Sequence, residues 1–211
     1  IMNVSVNCYL VRACGGFILI DTGRPNRRGE IEGELERIGC RPGDLRLIIL
    51  THGDFDHCGN AAHFAKKFGT KIAMHGDDSG MIERGDMLWN RAKRNFLSKA
   101  AFGLMFRLAE EDRVKPDLCV GEGHDFSDIG FDARVVELPG HSRGSIGILT
   151  GSGELFCGDL LANVEKPDLW SIIDDRDAAH ASVEKLKSLK ITVVYPGHGL
   201  PFPMEQFLKN H

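Results

Sequence analysis

LRLIILTHGDFDHCGN, residues 45–60, decides how the rest of the chain is read. A run of five aliphatic residues and Arg46 over 45–50 leads, after Thr51, into His52, Asp54, Asp56 and His57, four side chains able to hold a metal. A short apolar run that ends at a turn reads as a buried strand. On an extended or turning segment, residues two apart project to one side, so His52, Asp54 and Asp56 can converge. His57 then opens a helix and points elsewhere, which lets one segment feed two adjacent ions. Imidazole and carboxylate together suit zinc, iron or manganese. The competing reading is a polar turn with Asp56 capping a helix.

Outward from this stretch the same punctuation recurs. IDTG (20–23), ELPGHS (137–142), LFCGD (155–159) and YPGHG (195–199) each set an Asp or His just past a strand-like run. Such strand ends are where a rigid sheet presents polar groups for function. His141, Asp159 and His198 join the cluster to make seven ligands, the number two bridged ions require. Further apolar runs end in the same way, among them VNCYLVRA (6–13), TKIAMH (70–75) and GSIGILTG (144–151). Residues 4–20 fit a hairpin, and 145–159 fit another that turns at Gly151-Ser152-Gly153. Helical spacing appears at 27–39 (Ile31, Leu35, Ile38), at 57–68, and at 177–189 with Asp177 as its cap.

Residues 81–113 break this rhythm. They carry no strand signal, read as helical, and are rich in Met, Phe and Leu with Trp89 among them. A helical insertion or lid over a complete scaffold is the expectation, against ordinary core helix; the apolar excess would also suit a homodimer interface. Arg84, Arg91, Lys93 and Arg94 are candidates to meet anionic groups, and their plainer reading is a solvated helix face. Arg143, two residues after His141, is better placed to meet a carboxylate or phosphate.

The chain has 211 residues and a net charge of −4, so no basic footprint supports a nucleic-acid partner. No apolar run approaches the roughly 20 residues of a membrane span. Six cysteines lie scattered without a CxxC pair, which points to reduced thiols in a cytoplasmic protein. Cys58 is expected to pack at a helix start and not to ligate. The sequence opens at Ile1 without an initiator methionine and shows no leader pattern, which leaves open a start trimmed upstream.

DTG at Asp21, THGDFDH at 51–57, PGHSRGS at 139–145, FCGD at 156–159 and PGHG at 196–199 resemble, in order and strand context, the metallo-β-lactamase superfamily. The resemblance covers essentially the whole chain. It implies one α/β domain over 1–211, a four-layer αββα sandwich with a binuclear site at one edge between the sheets. It also implies two divalent ions, the first held by His52, Asp54 and His141. Asp56, His57 and His198 would hold the second, with Asp159 bridging and Asp21 supporting from behind. The family pattern has histidine where this chain has Asp54. A third carboxylate leaves two ions and a bridging hydroxide near neutral, which favours harder metals, manganese or iron over zinc. It also raises the pKa of the bridging water relative to a two-carboxylate site.

The resemblance implies hydrolysis of an ester-like bond (thioester, lactone or phosphoester) in a small molecule. A metal-bound hydroxide would attack, with Asp56 able to take or orient its proton. The layout is most similar to small glyoxalase II-like members, which often carry a C-terminal helical region that binds the substrate, whereas the sequence here ends 13 residues after His198. Alternatives are a single-iron oxygenase acting on a thiol or persulfide, and a metal or ligand sensor without catalysis. A di-iron oxygen reductase would need a flavodoxin-like domain for which no residues remain.

Overall fold

Residues 45–49 form a strand because both faces of the run find apolar partners. A strand buried on both sides needs no polar alternation. In the computed structural model, which describes residues 5–13, 15–91 and 107–210, β1 (Tyr9–Ala13) and β2 (Gly16–Ile20) make the expected hairpin. β3 (Leu45–Ile49), β4 (Lys71–Met74) and β5 (Leu118–Cys119) then add in parallel, giving a five-stranded sheet in sequential order. A second sheet runs β12-β11-β8-β7-β6, from β6 (Ala133–Glu137), β7 (Ile146–Thr150), β8 (Glu154–Gly158), β11 (Val193–Pro196) and β12 (Phe202–Pro203). β7 and β8 form the second expected hairpin, while β11 lies parallel to β8. β9 (Leu161–Asn163) and β10 (Pro167–Leu169) form a separate ribbon.

Side-chain alternation sorts the core into three slabs. Ile18, Ile20, Leu47 and Ile49 of the first sheet meet Val135, Ile146, Ile148 and Phe156 of the second. Their neighbours Leu19 and Ile48 face the other way, onto α1 (Arg28–Arg37), α3 (Ala61–Phe68) and α4 (Gly76–Arg84), through Leu35, Phe64, Phe68 and Ile82. Behind the second sheet, Val136, Leu155 and Val194 pack on Ala179, Val183 and Leu186 of α5 (Arg176–Lys187) and Phe207 of α6 (Met204–Leu208). Helix, sheet, sheet, helix is the four-layer α/β sandwich expected from the motifs, with the parallel strand ends β2, β3, β8 and β11 opening on one edge.

Several sequence expectations need correction. The helix expected over 57–68 is two: α2 (Phe55–Cys58) and α3, separated because the Asn60 amide turns back to donate to the carbonyls of Thr22 and Arg24, both at 2.8 Å. The cap of α5 is Asp175, whose carboxylate accepts from the Ala178 amide at 3.0 Å, and not Asp177, which lies inside the first turn. Within 81–113 the described residues are helical only to Arg84 and in a 3-10 turn at Glu110–Asp112, with an isolated bridge between Asp86 and Arg107. Met81 and Met87 are core residues, fully buried against the first sheet's helices. Trp89 lies over Gly80 of α4 with the Arg84 guanidinium 4.0 Å above its ring. Lys93, Arg94, Phe96, Leu97, Phe102, Leu104, Met105 and Phe106 lie outside the described residues. No helix among the described residues is long and apolar enough to cross a membrane.

Candidate metal centre

The centre is assembled from the open edge upward, beginning with Asp21 just after β2. Its φ of +58° is a left-handed conformation that Asp tolerates better than most residues. That turn sends the carboxylate sideways across the end of β3. Oδ1 accepts from the Thr51 amide, and Oδ2 accepts from both Thr51 Oγ1 and His57 Nδ1, all at 2.8 Å. Asp21 therefore fixes the first strand end and orients one imidazole at once.

All four histidines are held by the same logic. Thr51 Oγ1 gives its proton to Asp21, so toward His52 Nδ1, 3.0 Å away, it acts as acceptor. His57 Nδ1 donates to Asp21, His141 Nδ1 to the Ile172 carbonyl at 2.6 Å, and His198 Nδ1 to the Ser5 carbonyl at 3.1 Å. Each ring thus carries its proton on Nδ1 and turns a bare Nε2 inward, the arrangement that backing hydrogen bonds impose on metal-ligating histidines.

The Nε2 atoms meet the carboxylates in three overlapping groups whose ligand atoms lie within 4.8 Å: His52, Asp54, His141; Asp56, His57, His198; and His52, His57, Asp159. Asp159 spans the two halves, with Oδ1 3.3 Å from His57 Nε2 and Oδ2 3.2 Å from His198 Nε2 and 4.0 Å from His141 Nε2. His57 does not point elsewhere as expected: its ring centroid is 4.1 Å from that of His52. The four-residue α2 turns it only far enough to face the second group. His52, His57, His141, Asp159 and His198 are all buried, while Asp54 and Asp56 are half-buried and form the solvent side.

A metal fits this donor set. His52 Nε2, His57 Nε2 and Asp159 Oδ1 are buried with no hydrogen-bond partner among the described residues, and orphaned buried groups of that kind are costly unless something satisfies them. The glycines before the ligands let the backbone close in. A Cβ on Gly197 would stand 2.1 Å from Asp159 Oδ1, and Gly158, at φ +52°, would meet Thr51 Oγ1 at 2.6 Å.

Electrostatics follow from this crowding. Burial and the neighbouring imidazoles push the His52 pKa well below its usual value. Burial also opposes charge on His57 and His141, but Asp159 and Asp21 raise the first, and Asp54 raises the second. Asp159 stays ionised against its burial because His57 and His198 face it. Asp54 likewise lies far below the carboxylate range despite burial, held there by Arg91 and His141.

The sequence reads Arg91 as a candidate to meet anionic groups or, more plainly, as part of a solvated helix face. Instead its side chain is 3% exposed, with Nη2 2.7 Å from Asp54 Oδ1 and Nε 3.5 Å from Asp174 Oδ2. Arg143 is exposed, and Nη1 donates to Asn90 Oδ1 at 3.3 Å, outside the cluster. Sequence reasoning missed Asp78 altogether. Buried in α4, it accepts from the Gly53 amide and from Ser142 Oγ through Oδ2, and from the Gly144 amide through Oδ1, tying two ligand loops together. It also missed Trp170, stacked on the His198 ring at 4.6 Å, and Asn7, whose amide donates to the Pro196 and Gly199 carbonyls flanking His198. Nothing in those residues' local sequence marks them, because each acts across a long chain separation.

A family model described as the metallo-beta-lactamase superfamily matches residues 2–198. A probable metallo-hydrolase of Bacillus subtilis, YflN, is 24% identical over 90% of this chain and 78% of its own length. The hydroxyacylglutathione hydrolase GloC of Haemophilus influenzae is 31% identical over 68% of this chain, which spans 60% of that protein. Among solved structures, TTHA1623 in a di-iron-bound form superposes with a TM-score of 0.73 at 25% identity, covering 99% of this chain and 95% of that one.

Proposed function

The chain belongs to the metallo-beta-lactamase superfamily, and from that premise we propose that it is a hydrolase that works with two divalent ions on an ester-like bond of a small molecule. The observation that carries this is the convergence of four Nε2 atoms, each backed at Nδ1, on carboxylates that face both halves of the cluster. His52, Asp54 and His141 would hold one ion and Asp56, His57 and His198 the other, with Asp159 between them. Bound there, the ions would polarise the scissile carbonyl or phosphoryl oxygen and make a bound water acidic enough to react near neutral pH.

The chain's own residues supply the rest. Asp56 stands on the solvent side, with its side chain 15% exposed and the Arg24 guanidinium 3.7 Å away. There it can orient a water and accept its proton. Asp21 and Asp78 hold the ligand loops, so the donors need not reorganise during reaction. The oxygen donor of Asp54 favours manganese or iron in the first position, in line with the di-iron relative. Acyl thioesters are the first substrates to test, given the name that GloC carries, and Arg143 is the exposed cation closest in sequence to a ligand for an anionic tail. Residues 81–113 remain the proposed cover, reaching the centre through Arg91. Free Cys8, Cys40, Cys58, Cys119 and Cys157 support a reducing, cytoplasmic setting.

A second reading draws on one observation. Arg91 on Asp54 would weaken the first group and leave a single iron to His57 and His198 with the carboxylates of Asp56 and Asp159, a His and Asp set such as a thiol- or persulfide-oxidising centre uses. Elemental mass spectrometry of protein purified without added metal separates the two, followed by a panel of thioester, lactone and phosphodiester substrates before and after chelation. Two ions per chain and chelator-sensitive turnover support the hydrolase. One iron with oxygen uptake and no hydrolysis replaces it with the oxidising centre.

A further inference from the structure

We propose that Arg91 and Asp54 act as one neutral unit standing in for a histidine at the first ion, Arg91 being the residue that makes a carboxylate acceptable there. The inference rests on the binuclear reading above and concerns only what holds that first position.

The geometry divides the two oxygens of Asp54. Oδ1 takes the Arg91 guanidinium at 2.7 Å, while Oδ2 faces His141 Nε2 at 3.0 Å and His52 Nε2 at 3.9 Å. One oxygen is therefore occupied from outside the centre and the other is left as a single inward donor, as an imidazole Nε2 would be. The guanidinium also returns the positive charge that the third carboxylate removes. A centre with histidine here and one with the Asp54–Arg91 pair carry the same net charge, so any preference for a harder metal rests on the oxygen donor alone.

Arg91 is poorly suited to the simpler role of binding substrate. Its side chain is 3% exposed, and it is held from the far side by Asp174 at 3.5 Å. The Asp174 segment is itself part of the ligand scaffold. The Asp174 and Asp175 amides both donate to the Gly140 carbonyl at 2.9 Å, and Ile172 backs His141. Arg91 Nη2 also lies 3.4 Å from His141 Nε2, so the guanidinium borders two of the three donors of the first group. A charge placed so close cannot be neutral toward a cation unless a carboxylate offsets it.

Reciprocal rescue in metal binding tests this. Metal-free protein is titrated with Mn2+ and with Zn2+ against a competing chromophoric chelator, in the parent, Asp54→His, Asp54→His/Arg91→Met and Arg91→Met, with thermal melts to verify folding. In Asp54→His the buried guanidinium keeps only Asp174, on the side away from the first site, and the weaker of the two binding steps is expected to loosen at least tenfold. Adding Arg91→Met should return it to within about threefold of the parent. Asp54→His binding as tightly as the parent, or a double variant no tighter than Asp54→His, overturns the proposal. Should Asp54→His fail to fold, Arg91→Met alone decides. An unpaired carboxylate should then favour Mn2+ over Zn2+ at least fivefold more than in the parent, and an unchanged ratio overturns the proposal. A parent that never binds two ions sinks the binuclear reading instead, whatever the variants do.

Discussion

At the scale of single residues, Asp21 shows how much one carboxylate can organise. Two oxygens serve the Thr51 amide, the Thr51 hydroxyl and His57, at the expense of a left-handed backbone angle. Asp21→Ala removes the backing of His57 and, through Thr51, of His52. Loss of such outer partners typically weakens metal binding by about 10- to 100-fold. The expected result is a fall of that size in the affinity of the second ion by chelator competition, while far-ultraviolet circular dichroism stays unchanged. Affinity equal to that of the parent would mean that the imidazoles are oriented by packing alone. Asp21 was legible from its DTG turn. Asp78 was not, because a carboxylate in the first turn of a helix ordinarily interacts with its own helix N-terminus, and only the fold brings Gly53 and Gly144 onto it.

At the scale of elements, α1 and α3 are joined on their outer faces by Glu32, whose Oε1 takes His63 Nε2 at 2.6 Å and Lys67 Nζ at 3.1 Å. These hydrogen bonds, from His63 first and then Lys67, lower the Glu32 pKa. A group with a depressed folded pKa contributes stability above its unfolded value of about 4.3, and that contribution is lost as pH falls through the folded pKa. Being near the surface, it contributes below about 1 kcal/mol. Glu32→Gln should therefore melt slightly lower than the parent at pH 7, with the gap narrowing as pH falls below the unfolded value and through the folded pKa. A gap that does not narrow on acidification would point to packing of the side chain and not to its charge. The elements themselves were readable where hydrophobic period and length agreed, as in β2, β3, β7 and α1. The break between α2 and α3 was hidden, since the apolar spacing continues across Gly59 and Asn60 while tertiary hydrogen bonds to Thr22 and Arg24 interrupt the helix.

At the scale of the whole molecule, the centre ties the two sheets together. Its ligands come from the ends of β3, β8 and β11 and from the loop after β6, so an ion bound there cross-links both halves of the sandwich. Ligands that bind only the folded state stabilise it by mass action, about 2.7 kcal/mol at a free concentration 100 times the dissociation constant. For a chain of this size that corresponds to ~5–10 °C. Chelation should lower the melting temperature by that amount and re-addition of Mn2+ should restore it. A melting temperature indifferent to chelator would show that the buried orphan atoms of His52, His57 and Asp159 are satisfied without metal.

The sequence by itself determined which strands end in chemistry. An aliphatic run has to be buried, a glycine next to a His or Asp permits close approach, and spacing by two brings Asp54 and His52 to one side; those constraints are local. Asp21 apart, tertiary structure alone decided what stands behind each ligand and what charge faces it. Arg91 read as one cation among several on a helical stretch, and its burial between Asp54 and Asp174 depends on where residues 85–91 cross the ligand loops. Hydrogen bonding and Coulomb interaction act over a few ångströms of space, and distance along the chain says nothing of them until the sheets have packed.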